Sequence, residues 1–134
     1  MEETIFTKII NGDIPSHKVY EDDATYAFLD IHPSAEGHTL VVPKQPVQFV
    51  WDLDDAAYQA LMESVKKVAR RLRDVTGKSY VGTMVVGTDV PHAHVHVVAF
   101  DSVKDIKAVV NATDRDSIEP DHERLAAVAA SLRF

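Results

Sequence analysis

Three histidines alternate with small apolar residues in the run Pro91-His92-Ala93-His94-Val95-His96. In an extended strand alternate side chains share a face, so the three imidazoles stand in a row at intervals of roughly 7 Å while Ala93, Val95 and Val97 point the other way. Two chemistries suit such a row. Imidazole is a nucleophile near neutral pH, so one ring can attack phosphorus while its neighbours donate to phosphate oxygens or to a leaving group. Imidazole is also a common ligand for zinc and related ions. The metal reading is the weaker one, because the chain has no cysteine and the strand offers no carboxylate on the histidine face. Asp30, Asp89 or His38 would have to come from elsewhere in the fold. An unreactive, hydrogen-bonded row is the least favoured reading. Phosphoryl or nucleotidyl transfer proceeds mostly by positioning and electrostatics, for which a rigid strand is a better platform than a loop.

The elements that must hold this row follow from local signals. Thr4, then Ile5, Phe6, Ile9 and Ile10, then Asn11-Gly12 predict a short capped helix over 5–10. Val19–Glu21 and Thr25–Leu29 flank Asp22-Asp23 as a hairpin, and His38–Val42 reads as a third strand that Pro43 ends. Between them, Asp30 to Gly37 carries Pro33, Ser34 and Gly37 and reads as a loop. From Leu53 to about Arg73, Tyr58, Leu61, Val65, Val68 and Leu72 recur at helical spacing, with acids at the start and bases late. Tyr80–Val86 and His92–Phe100 form a second hairpin across the short turn Gly87–Pro91, and Pro120, Leu125, Val128 and Leu132 predict a closing helix near 120–133. Strands and helices do not alternate. The expected class is therefore α+β, an antiparallel sheet with helices packed on one side, in one domain spanning 1–134 with its core at about 5–100.

Composition narrows the partners. A formal net charge of −7 provides no basic field for a nucleic-acid polymer, and the one basic cluster, Lys66, Lys67, Arg70, Arg71 and Arg73, reads as the solvated face of the long helix. The expected ligand is a small phosphate-bearing molecule. The absence of cysteine excludes disulfides, thiol catalysis and cysteine zinc sites. No stretch reaches transmembrane length, and Met1–Phe6 lacks the basic and apolar character of a signal peptide, so a cytoplasmic location without membrane association is expected.

The run from Pro91 to Val98 resembles the signature of the histidine-triad (HIT) family. The likeness extends through Thr4–Ile10, Ile14-Pro15, Tyr20–Asp23, Phe28–Ile31, Gly37-His38 and Leu40–Lys44, in the order found in that family's small branch. It covers about Ile5 to Phe100. It implies a five-stranded antiparallel sheet and, usually, a two-fold dimer. It also implies that His94 is the nucleophile, forming a transient nucleotidyl-histidine, and that the His92 carbonyl fixes the ring of His94. By the same likeness His96 lies against the α-phosphate and His38 completes the cluster. Asp30 would accept hydrogen bonds from the ribose hydroxyls. Ile5, Phe6, Ile9, Phe28, Ile31 and Leu40 would enclose the base, each of them equally suited to plain core. His17, His32 and His122 match nothing catalytic and read as surface or loop residues. No cofactor is expected.

The turn before the triad departs from the family pattern. Many members have an asparagine at the end of the preceding strand, then Gly-Gln-Ser or Gly-Gln-Thr. Here the stretch is Gly87-Thr88-Asp89-Val90-Pro91, so Gly87 replaces the asparagine and Thr88 is the nearest hydroxyl. Asp89 brings negative charge towards a phosphate, which hinders binding unless the side chain points away or acts on the leaving group. Pro91 removes one amide, leaving those of Asp89 and Val90 for phosphate contacts. Phosphoramidates, dinucleoside polyphosphates and aminoacyl-adenylates all remain open as substrates, and so does a nucleotide-binding module without catalysis. Thr4 and Thr7 stand where some relatives carry the cysteines of a structural zinc, so no structural metal is expected.

Overall fold

The chain begins with helix α1 (Ile5–Ile10), closed at its start by reciprocal bonds between two threonines. Thr4 Oγ1 accepts from the Thr7 amide at 3.3 Å, and Thr7 Oγ1 accepts from the Thr4 amide at 3.2 Å. These hydroxyls satisfy amides that a six-residue helix would otherwise leave open. The computed structural model describes residues 3–110 and 119–134. Strands β1 (Lys18–Glu21) and β2 (Thr25–Leu29) form the first hairpin. At its tip, Asp22 Oδ1 accepts from the amides of Ala24 and Thr25 and from Thr25 Oγ1, each at 2.9 Å.

Strand β3 (Thr39–Pro43) follows, then a single 3₁₀ turn at Val50–Asp52 and helix α2 (Asp55–Thr76). Asp54 caps α2 through the Ala57 amide, and Gly77 ends it at φ 67°, a left-handed conformation that favours glycine. Of the basic cluster, Lys66, Lys67, Arg70 and Arg73 are exposed. Arg71 instead donates to the carbonyls of Ser131 and Leu132, closing the end of the last helix. Strands β4 (Tyr80–Met84) and β5 (Val95–Phe100), helix α3 (Val103–Val110) and helix α4 (His122–Leu132) complete the described chain.

The five strands form one antiparallel sheet in the order β1-β2-β3-β5-β4. Alternation sorts its residues into two faces. Ala27, Leu29, Val41, Val95, Val97 and Ala99 pack beneath Leu61, Val65, Val68 and Leu72 of α2 and Leu125, Ala129 and Leu132 of α4. Tyr26, Phe28, Leu40 and Val42 face Phe6 and Ile9 of α1. The two longer helices thus share one side, as expected, while the short α1 lies on the other. There α3 brings the Ile106 side chain over Gly82, so close that a Cβ on that glycine would stand 2.6 Å from it.

Besides shifts of one to three residues at the ends of β1, β3, α2 and α4, three differences from expectation stand out. Helix α3 had no sequence forecast, since it follows β5 after only two residues, Asp101 and Ser102, and lacks a clear cap signal. Strand β4 ends at Met84 rather than Val86, and β5 begins at Val95 rather than His92, so the link between them is longer than the turn Gly87–Pro91. The reason is hydrogen bonding. Pro91 has no amide to give, His92 N–H turns back to the Val90 carbonyl at 2.8 Å, and Ala93 N–H goes to the Val47 carbonyl at 2.8 Å instead of to β4.

Candidate active site

Although the ladder starts only at Val95, the alternation already holds at His92: Ala93 joins Val95 and Val97 in the core beneath α2, and the histidines take the opposite face. All three are buried. His92 Nε2 donates to the Pro43 carbonyl at 2.8 Å, which leaves Nδ1 as the bare nitrogen, buried without a partner. Burial pushes the His92 imidazole below its ordinary pKa and the neighbouring His94 adds to this, while the bond to Pro43 opposes it. The ring is accordingly kept neutral. His94 Nδ1 donates to the His92 carbonyl at 2.7 Å. A carbonyl only accepts, so the His94 proton sits on Nδ1 and its lone pair on Nε2.

A second chain of bonds fixes His96. The Ser34 amide donates to His38 Nδ1 at 3.0 Å, so that nitrogen carries the lone pair. His38 Nε2 must then carry the hydrogen, which it gives to His96 Nδ1 at 2.9 Å. The proton of His96 is therefore on Nε2. Loop 30–37 makes this possible: Gly37 adopts φ 88°, the His38 amide returns to the Ala35 carbonyl, and the Asp30 amide bonds the His38 carbonyl at 2.9 Å. Asp30, at the end of β2, has one carboxylate oxygen on the His32 amide at 2.9 Å and the other 3.7 Å from His38 Nε2.

Asp30, His38 and His96 each offer a ligand atom within 4.8 Å of one another, a spacing that could hold a metal ion. The hydrogen bonds argue against that use. His38 has its Nδ1 lone pair engaged by Ser34 and its Nε2 hydrogen directed at His96, so a metal would have to displace both the proton and the partner ring. At the other candidate position the Thr4 and Thr7 hydroxyls lie 3.3 Å apart and are occupied in capping α1.

Over the histidines opens a cavity of about 660 Å³. Ile5, Phe6, Ile9, Phe28 and Leu40 form its apolar wall, His94 and His96 its floor, and Asp30, Ile31, Asp89 and Val90 also line it. Phe6 stands edge-on to His94 with ring centroids 5.1 Å apart, and packs against Phe28 at 5.5 Å. Among the residues singled out in the sequence, His38 and His92 lie buried behind the floor rather than in it. Thr88 lies outside the lining, exposed, with its hydroxyl 3.3 Å from Asp89. The structure adds Ser16, His32 and His122 to the wall, two of which read from sequence as surface histidines. His122 also bonds His17 ring to ring at 3.0 Å. Nothing in the sequence pointed to His122, because the start of α4 meets the loop after β2 only in the folded chain.

The HIT domain family pattern matches residues 11–103. The chain belongs to the HIT domain family. Protein hit of Bacillus subtilis is 38% identical over 136 residues, covering 98% of this chain and 92% of that protein. Purine nucleoside phosphoramidase of Escherichia coli is 37% identical over 103 residues, 72% of this chain and 86% of that one. Among solved structures, a Hit-like protein from Bartonella henselae superposes with a TM-score of 0.82 at 29% identity, over 98% of this chain and 95% of that chain. The HIT membership fits the observed α+β sheet, and His122 lies beyond the matched stretch.

Proposed function

We propose that this HIT protein is a hydrolase or nucleotidyl transferase that attacks the α-phosphate of a purine nucleotide with His94 and passes through a nucleotidyl-histidine. The observation that carries the reading is the 2.7 Å bond from His94 Nδ1 to the His92 carbonyl, which leaves the lone pair on Nε2 of a ring lining the cavity. In the first step Nε2 forms a bond to phosphorus as the bond to the leaving group breaks, and the leaving group takes up a proton from water, which is returned to solvent when the second step's attacking water loses one. The positive charge that develops on His94 is shared with the carbonyl at Nδ1. His96, protonated on Nε2, donates to a phosphate oxygen. Asp30 receives the ribose hydroxyls, and the apolar wall of Phe6, Ile9, Phe28 and Leu40 takes the base. Water or another acceptor then attacks phosphorus, releasing the nucleotide and restoring His94.

The named activity of the Escherichia coli relative supports a purine and a phosphorus–nitrogen bond among the substrates. No cofactor enters these steps. A homodimer through α2 and a sheet edge, in a cytoplasmic setting, accompanies the proposal. No described helix is long and apolar enough to cross a membrane.

Intact mass after rapid quench with adenosine phosphoramidate, in the presence of a chelator, tests the reading. A nucleotidyl adduct or AMP release in the parent protein, both lost in His94→Ala, is expected; undiminished turnover in that variant would sink it. Light scattering should give twice the chain mass.

A further inference from the structure

Away from the triad and His38, the fold brings a further pair of imidazoles together. His17 precedes β1 and His122 opens α4, 105 residues apart in sequence. Their rings meet nitrogen to nitrogen, His17 Nε2 to His122 Nδ1 at 3.0 Å, with centroids 5.3 Å apart and planes 30° from parallel. Both backbones are held by bonds that do not involve the rings. The His17 carbonyl accepts from the Leu29 amide at 3.0 Å. Helix α4 is tied near its start by the Arg124 pair with Glu36, and beyond its end by Arg133 Nε on the Lys18 carbonyl and the Phe134 amide on the Val19 carbonyl, each at 3.1 Å. His122 is exposed and His17 half-buried, so both rings can be reached from solvent.

We propose that His17 and His122 together bind one divalent transition-metal ion of the copper, nickel or zinc class, completed by water, which clips α4 to the first hairpin. One of the two facing nitrogens carries a hydrogen and the other is bare. Moving that hydrogen to the far nitrogen of its ring changes no charge and leaves two lone pairs at the same spacing. Two nitrogens bound side by side to one ion, each at roughly 2.0–2.1 Å and at about 90°, are separated by about 2.9 Å. The observed spacing is thus already that of neighbouring ligands, and a swivel of the rings turns their lone pairs towards a common point. Burial, and then the neighbouring His122, hold the His17 imidazole below its ordinary pKa, which favours the neutral form that a metal requires. The start of a helix disfavours a cation, and here Asp121 and Glu123, on either side of His122, offset it. Donors that are nitrogen alone select against magnesium and calcium, which take oxygen. Because His122 also lines the cavity over the triad, an ion on the pair ties that part of the cavity wall to the hairpin.

Copper(II) titrated into the metal-free full chain near neutral pH is the test, read by calorimetry and by electron paramagnetic resonance. The parent should bind one ion through two imidazole nitrogens, visible as nitrogen hyperfine structure. Saturating ion, about a hundred times the dissociation constant, should raise Tm by roughly 5 °C or more, and magnesium should not. His17→Gln and His122→Gln should each weaken copper binding by at least the roughly tenfold that loss of a merely supporting partner costs, and should remove the two-nitrogen signature. His96→Gln should leave both intact, because Asp30, His38 and His96 are the competing group. Tm measured without metal establishes that each variant is folded. Copper binding lost in His96→Gln but kept in His17→Gln and His122→Gln places the ion on that group and overturns the inference. A parent spectrum without two nitrogens, or an equal rise in Tm with magnesium, overturns it as well.

Discussion

The two faces of the sheet are built from the same strands and closed to very different degrees. Beneath α2 and α4, Leu61, Leu72, Val41, Val97 and Ala129 are sealed from solvent. On the other face α1 supplies only six residues, Phe6 and Ile9 cover part of the strands, and a cavity of about 660 Å³ remains. One face therefore stabilises and the other receives. Alternation along a strand assigns each neighbouring pair to the two tasks: Leu29 to the core and Phe28 to the cleft, Val95 to the core and His94 to the cavity.

Substitutions at matched positions should separate the two tasks. The largest effect belongs to His94→Ala, which should lower kcat/KM for AMP release by roughly a thousandfold or more while leaving Tm nearly unchanged. A large drop in Tm would instead make His94 part of the packing. Next comes Leu61→Ala on the sealed face, expected to cost about 3 kcal/mol in urea unfolding with kcat/KM per folded molecule retained. Leu40→Ala, on the cleft face, should cost less stability, because its surroundings are already open on one side, but should weaken nucleotide binding. Equal stability losses at the two leucines would erase the distinction.

A smaller effect is set by pH. His92 and His17 are both held below the ordinary histidine range, His92 chiefly by burial and His17 by burial and then by His122. Below the unfolded-state value, near 6.5, the unfolded chain takes up protons that the folded one refuses. Stability should therefore be fully present above about pH 6.5 and decline as pH falls below it. Glu21, Asp22 and Asp101 are held below their ordinary values, so their losses come at more acidic pH and leave the window from 5 to 6.5 to the histidines. His92→Asn should flatten a plot of Tm against pH across that window; an unchanged slope would move the effect elsewhere. Smallest of all, Glu36→Gln, which breaks the exposed pair with Arg124, should change stability by less than about 1 kcal/mol.

Legibility in the sequence followed the same division. Elements whose signals are local were readable: the Thr4 cap, the helical spacing of α2 from Leu53 to about Arg73, three residues short of its end at Thr76, and the hairpin at Asp22. The histidine row was readable as well, because alternation needs no partner. What escaped depends on contacts between distant segments. The ladder could not start at His92 once Val47 had claimed the Ala93 amide. The tautomers of His94 and His96 rest on the His92 carbonyl and on Ser34 through His38. His122 enters the cavity wall only because α4 packs back onto the first hairpin.

The hydroxyl of Ser64, buried in the middle of α2, sits 2.7 Å from Thr25 Oγ1 and 3.2 Å from Asp22 Oδ2. This knot acts as an indexing mark for the whole of β2. A slip of one residue would turn Phe28 into the core and Leu29 into the cleft, and would carry Asp30 to the wrong side of the sheet. It would also strand two hydroxyls beneath the helix without partners, at a cost of several kcal/mol. The chain therefore cannot settle its fold and leave the cleft misassembled, since one misalignment spoils both.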